Sequence, residues 1–335
     1  MKVFAFLLSS ALVIGFSISS HAAEPIIIKF SHVVSADSPK GRAALYFQEM
    51  VERRTNGAVK IEVYPNSALY KDKDEIPALL AGDVQMLAPA LPKIEQLGVQ
   101  EFEVFNIPYL FPGKDLLRRV TGGPIGQELL KKLEPKGIVG LAYWDNGFRD
   151  LMTNKPVRHP QDLQGLKMRI SSKASEPMMH ALGAIPVEMA FSEVPNALKT
   201  GKIDGTENTA SNFYSQKNHE VLKYFTDSDH NYIGYVVIVN KKFWDELPDN
   251  LRLQLRLAMG EATRYGNAIA DRENDDALDK IKFSDKKISV YTLTPDERAE
   301  WRRELRTVHR QFEARVGKDL LKAIYEEGTA LGYKF

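Results

Sequence analysis

The chain contains no cysteine. That removes disulfides, thiol nucleophiles, thiolate-bound zinc and iron–sulfur clusters together. It also lacks an excess of either charge: 45 Lys and Arg face 44 Asp and Glu, a formal net of +1. A neutral chain predicts no broad electrostatic binding to nucleic acid or anionic lipid. Beyond the first residues no stretch reaches 18 apolar residues, so no later segment reads as a membrane span. There is no Gly-x-Ser-x-Gly elbow, His-Glu-x-x-His, phosphate loop or Gly-x-Gly-x-x-Gly. The seven histidines are scattered without metal-ligand spacing. What remains is a chain of 335 residues with 44% hydrophobic and 27% charged residues, ordinary for a folded protein of two domains or one large one.

The first segment reads as an export signal. Lys2 precedes an apolar run from Val3 to Phe16, and Ser20-His21-Ala22 offers small residues for cleavage after Ala22. The run is short for a membrane anchor. Residues 1–22 are therefore expected to be removed, leaving basic and acidic residues in balance. A cysteine-free exported chain relies on its core for stability, and this length suffices to bury one.

Strand and helix patterns then alternate. Residues 26–30 form an apolar strand pattern, and Ser38-Pro39-Lys40-Gly41 opens a helix with Ala44, Phe47, Met50 and Val51 on its apolar side. Val59, Ile61 and Val63 alternate with Lys60 and Glu62, a half-buried strand. Asp72-Lys73-Asp74-Glu75 reads as an N-cap acceptor with Glu three residues on, opening a helix that ends at Gly82. Further strands are expected over 84–87, 137–144, a turn and strand over 163–170, and 232–240. Helices are expected over 175–182 and 191–200, the latter capped by Ser192. These units predict mostly parallel α/β sheets. From Pro248 to about Lys282 a helical pattern runs without internal proline, roughly 50 Å of helix. It either crosses between two lobes or breaks at Gly260 or Gly266. A charged helix from Thr294 carries Trp301, Leu305, Val308 and Phe312 on one stripe.

Candidate chemistry centres on arginines and amides at strand ends. In Leu166-Lys167-Met168-Arg169-Ile170, Arg169 points away from its apolar neighbours. It reads either as an internal ion pair or as a bidentate grip on a ligand carboxylate, for which guanidinium has the planar fork. Arg149 follows Trp144-Asp145-Asn146-Gly147-Phe148, and Asn208 sits in a loop, able to donate and accept. Asp204 with Glu207 could serve carboxylate-dependent hydrolysis, and Asp227-Ser228-Asp229-His230 could mimic a metal cluster. Both read more simply as turn chemistry.

The chain resembles the extracytoplasmic substrate-binding subunits of tripartite ATP-independent periplasmic (TRAP) transporters, of the C4-dicarboxylate-binding type. The resemblance covers essentially the whole mature chain, through IKFSHVVSADSPKG (28–41), VYPNSALYKDKDEI (63–76), GDVQMLAP (82–89), FEVFNIPYLF (102–111), YWDNGFRDL (143–151), GLKMRI (165–170), GAIPVEMAFSEVPNALKTGKIDGTEN (183–208) and GYVVIVNKKFWDELP (234–248). It implies a periplasmic α/β protein of two interleaved lobes with mixed, mostly parallel sheets, a hinge and a long lobe-spanning helix. The lobes would be 23–146 with 232–273, and 147–231 with 274–335, around a ligand cleft. It also implies that Arg169 pairs with the ligand carboxylate. Arg149 is implied as a second cleft arginine, Asn208 as a contact near the carboxylate and Phe191 as an aromatic wall, with Lys40 and Tyr235 as further contacts. Sialic-acid binders of the family carry a glutamate where this chain has Ala90 and an asparagine near Val33, which argues here for a smaller ligand. Pro195 stands where relatives commonly have Tyr or Thr. The resemblance implies a monomer that closes on succinate, fumarate or malate and delivers it to the membrane permease, without catalysis, cofactor, metal or nucleic acid. Another organic acid, delivery to a sensor kinase, or a periplasmic hydrolase using Asp204, Glu207 or Asp229 are the alternatives.

Overall fold

The computed structural model describes residues 24–335. The expected leader, residues 1–22, lies outside them. The elements begin β1 (Ile26–Ser31), α1 (Pro39–Arg54), β2 (Val59–Tyr64), α2 (Glu75–Ala81) and β3 (Met86–Leu87). Two 3₁₀ segments, Leu91–Leu97 and Gln100–Asn106, lead to α3 (Lys114–Gly122), α4 (Pro124–Lys131) and the long β4 (Ile138–Thr153). Then follow β5 (Lys167–Ile170), α5 (Glu176–Ala181), β6 (Ile185–Glu188), α6 (Val194–Lys199), β7 (Gly205–Asn208), α7 (Ala210–Ser215) and the long β8 (Tyr224–Asn240). The chain closes with α8 (Lys241–Glu246), α9 (Asp249–Lys282), β9 (Ser289–Thr292), α10 (Pro295–Val316) and α11 (Lys318–Ala330).

The strands order as β2-β1-β3-β8-β4-β7-β5-β6, with β9 beside β8. Among the described residues five pairings are parallel and three antiparallel, the mixed, mostly parallel sheet that the resemblance implies. β4 and β8 run antiparallel along almost their whole lengths, so one end of each belongs with β1–β3 and the other with β5–β7. Their register slips near Gly140, Gly147 and Arg149. Such slips bend and twist a strand locally, and the one between Asp145 and Gly147 lies where the two halves of the sheet meet. Both strands exceed the expected 137–144 and 232–240. The added parts, Asp-Asn-Gly-Phe-Arg-Asp and Thr-Asp-Ser-Asp-His-Asn, have loop composition, yet their polar groups pair within the sheet. Tyr232 donates to Asp145 at 2.9 Å, and His230 meets Glu207 at 2.9 Å.

α9 is one unbroken helix. Gly266 lies where α9 crosses α1: a Cβ there would stand 2.8 Å from the Ala43 Cβ. Its other contacts stitch the sheet's crossing region. Thr263 accepts from the Trp144 indole at 3.0 Å, and Asn267 accepts from the Asp145 backbone at 2.8 Å. Asn274 donates to the Asn146 carbonyl and accepts from the Ser211 backbone.

Ser38 caps α1 as expected, accepting from the Gly41 backbone. Two other caps differ. α2 starts at Glu75 after Asp74, with no side-chain cap, and Asp72 turns elsewhere. Ser192 caps nothing: Phe191–Glu193 is a 3₁₀ turn, and α6 starts at Val194 with Pro195 in its first turn, where a missing N–H costs no helix bond. Trp301, Leu305, Val308 and Phe312 of α10 are all fully buried, as their stripe predicts. One core cluster packs α1 and α9 on the β1–β2 side, with Phe30, Phe47 and Trp144. A second gathers Phe213, Phe225 and Ile281. The largest joins Phe102, Phe105 and Leu117 to Met168, Trp301 and Phe312. α10 and α11 thus pack back onto Gln100–Asn106 and α3.

Candidate functional site

The parallel strands end at one place. Val33 and Val34 follow β1, Ala90 and Lys93 follow β3, Ser171 follows β5, Phe191 follows β6, and Asn208 ends β7. All line a single narrow cavity with about 40 Å³ open to the centre of a water molecule. A crevice outside the carboxyl ends of strands is where α/β sheets place ligands. Val33 and Ala90 are both in its wall.

Five acidic and basic side chains line this cavity, and each is nine-tenths buried or more: Lys40, Lys93 and Arg169, with Asp72 and Glu75. Arg169 reaches in from β5. Its Nε and Nη2 donate to the Met189 carbonyl at 3.3 and 3.2 Å, and Nη2 lies 3.6 Å from the Asp72 carboxylate. The guanidinium carbon stands 5.7 Å from the centre of the Phe191 ring. Lys40, in the first turn of α1, donates to the Ala88 carbonyl at 2.9 Å and sits 3.9 Å over the Tyr235 ring. Its ammonium is held below the usual lysine range by burial, against the pull of Glu75 and Asp72. Lys93 lies 3.5 Å from Asp72. One carboxylate oxygen, Asp72 Oδ2, therefore faces an ammonium and a guanidinium on separate chain segments at once. Its other oxygen accepts from the Phe191 backbone at 3.3 Å.

The amides are oriented. Asn208 Oδ1 accepts from the Thr209 backbone at 2.9 Å and from Asn212 Nδ2 at 2.7 Å. With its oxygen occupied, Asn208 presents its NH₂ donors toward the cavity. Asn212 also lies 3.4 Å from the Tyr235 hydroxyl, which burial pushes up to about 12.

Of the sequence candidates, Arg169, Asn208, Phe191, Lys40 and Tyr235 come together in the wall. Arg149 does not. Its Nη1 pairs with Glu207, whose other oxygen meets His230. Arg149 Nε and Nη2 are buried without a hydrogen-bond partner among the described residues. Burial alone would raise the Glu207 carboxyl, but Arg149 and His230 bring it down to about 2. Arg149 is near enough for its charge to bear on Arg169 and Tyr235. The carboxylates of the hydrolase alternative occupy separate places. Asp204 accepts from Asn154 and from the Lys167 backbone. Asp229 lies with Asp150 and Asp227, their carboxylates within 4.8 Å of one another and beside Arg298. His230 faces away from that cluster, toward Glu207.

Asp72, Glu75, Lys93, Ser171 and Asn212 were not among the sequence candidates. For Lys93 a signal existed: it is the only charged residue between Val84 and Ile94. Asp72 read as a cap because a cap and a cleft both call for a carboxylate acceptor.

The family model described as bacterial extracellular solute-binding protein, family 7, matches residues 30–315. The chain is 54% identical over 303 residues to the C4-dicarboxylate-binding periplasmic protein DctP of Rhodobacter capsulatus, covering 90% of this chain and 91% of that one. A TRAP periplasmic solute-binding protein from Shewanella oneidensis, solved with bound succinate, is 41% identical with a TM-score of 0.87, covering 90% of this chain and 99% of its own. A relative from Pseudomonas aeruginosa, solved with bound L-malate, is 36% identical with a TM-score of 0.83, covering 86% of this chain and all of its own. With the family model spanning most of its length, this chain belongs to the family 7 extracellular solute-binding proteins, the solute-binding subunits of TRAP transporters.

Proposed function

We propose that this protein captures a C4-dicarboxylate, namely succinate, fumarate or malate, and delivers it to a TRAP membrane permease. The observation that carries the reading is the cavity's charge. Arg169 enters from one side and Lys40 and Lys93 from the other, around one narrow space. A dicarboxylate leaves its hydration at a cost, and charge-assisted hydrogen bonds worth roughly 1.5–3 kcal/mol each replace it. A few support micromolar binding, about −8 kcal/mol. In this reading Arg169 and Asn208 hold one carboxylate and Lys40 and Lys93 receive the other. Phe191 and Tyr235 form the apolar walls, and Arg149 acts through its charge and its pair with Glu207.

The lobes are residues 23–146 with 232–273, and 147–231 with 274–335, hinged where β4 and β8 slip register. Contacts from both lobes exist together only in the closed form, so the solute drives closure. The protein works as a periplasmic monomer after losing residues 1–22, and makes or breaks no bond in its cargo. Among the described residues no helix is long and apolar enough to cross a membrane. Calorimetry against succinate, fumarate, malate, a monocarboxylate and a sugar acid tests the reading. Binding of C4 acids in preference to the others is expected. Binding only of a monocarboxylate or sugar acid overturns the ligand assignment.

A further inference from the structure

We propose that Glu75 faces the solute as a neutral carboxylic acid, a hydrogen-bond donor that leaves the cavity two net positive charges and so selects a doubly charged solute. This rests on the dicarboxylate reading and adds what sets the charge class. Glu75 begins α2, lines the cavity and is 1% exposed. Neither of its carboxyl oxygens has a hydrogen-bond partner among the described residues. An ionised carboxylate buried without a donor is a costly arrangement. A carboxylic acid brings its own proton, and the acceptor that completes it is the solute.

The groups facing Glu75 are Lys40 from α1, Asp72 from the turn before α2 and Lys93 from the Leu91–Leu97 segment, with Arg169 across the cavity. Burial pushes the Glu75 carboxyl up to about 8. Lys40 and Lys93 pull it down and Asp72 adds to the rise. With Glu75 neutral, Lys40, Lys93 and Arg169 stand against Asp72 alone, which matches a dianion. With Glu75 ionised, one net positive charge remains, which matches a monoanion. Dianion affinity is then full below about pH 8 and falls as pH rises through that value.

The test is the dissociation constant of succinate for the intact protein and for Glu75→Gln, by calorimetry from pH 6.5 to 9. Gln keeps a neutral donor that does not titrate. Lys40 titrates in both proteins and feels the Glu75 charge only in the unmodified one, so the ratio of the two constants reports the carboxyl together with its pull on Lys40. The ratio, unmodified over variant, is expected to rise several-fold across this range. A constant ratio overturns the proposal and leaves the dicarboxylate reading standing. Failure of the unmodified protein to bind any C4 acid overturns both. Infrared difference spectra of the unmodified protein need no variant. A neutral-carboxyl band at pH 7 that shifts on adding succinate is expected, and no shift overturns the proposal.

Discussion

Arg169 combines the two readings its sequence left open. It is an internal ion pair, with Asp72, and it lines the cavity. Removing it takes a guanidinium out of the cavity wall and leaves the Asp72 carboxylate with Lys93 and the Phe191 backbone. Arg169→Ala is expected to weaken succinate binding by about 2 kcal/mol or more, roughly 30-fold, in calorimetry, with the thermal melt still cooperative. Unchanged affinity would refute its role. Glu207 is a different case, since its two partners are protein groups. Its folded carboxyl lies near 2, below the unfolded value of about 4.3. The stabilisation it contributes is therefore present above about pH 4.3 and fades as pH falls toward 2. Glu207→Gln strands the Arg149 guanidinium, which is 1% exposed. We expect that variant to lose about 3–5 kcal/mol of stability at pH 7. Melts from pH 7 to pH 3 should show the variant's deficit shrinking, and a deficit independent of pH would contradict this.

Among the elements, α9 shows how far periodicity reaches. Its length and apolar spacing were legible, and its two glycines read as weaknesses. Gly266 is instead the place where α1 comes closest. Helix propensity alone gives Gly→Ala a gain of about 1 kcal/mol. Here a larger side chain meets Ala43, so Gly266→Val is expected to cost about 1–3 kcal/mol in denaturant unfolding. A stabilised or neutral variant would show that the helices part without cost. β4 and β8 mark the opposite limit. Their central residues are Asp, Asn, Gly and Ser, types that favour turns when read locally. They form strand where polar groups find partners from other segments: Asn106 for Asn231, Tyr232 for Asp145, Glu207 for Arg149. No window of sequence contains those partners.

At the scale of the molecule, Lys71 with Glu193, and Asp72 with Arg169 and the Phe191 backbone, tie together the two sides of the cavity. In the proposed reading these contacts favour the closed form. Fluorescence transfer between labels at exposed positions flanking the cleft should report a shorter mean distance when succinate is added. Arg169→Ala should need far more succinate for the same change. A distance insensitive to succinate in the unmodified protein would remove closure from the mechanism.

Composition and pattern by themselves determined a great deal. They excluded thiol chemistry, foretold alternating strands and helices, and marked a helix too long for one lobe. Ordered motifs along the chain pointed to the family and to Arg169, Asn208, Phe191, Lys40 and Tyr235. These properties are local, or are carried by residues whose types alone limit their use. Only the tertiary structure decided which charges share the cavity. It brought Asp72, Glu75 and Lys93 to Arg169 and Lys40, and it drew Arg149 back onto Glu207. The physical reason is that a buried charge is defined by its neighbours, and here those neighbours lie scores of residues away along the chain.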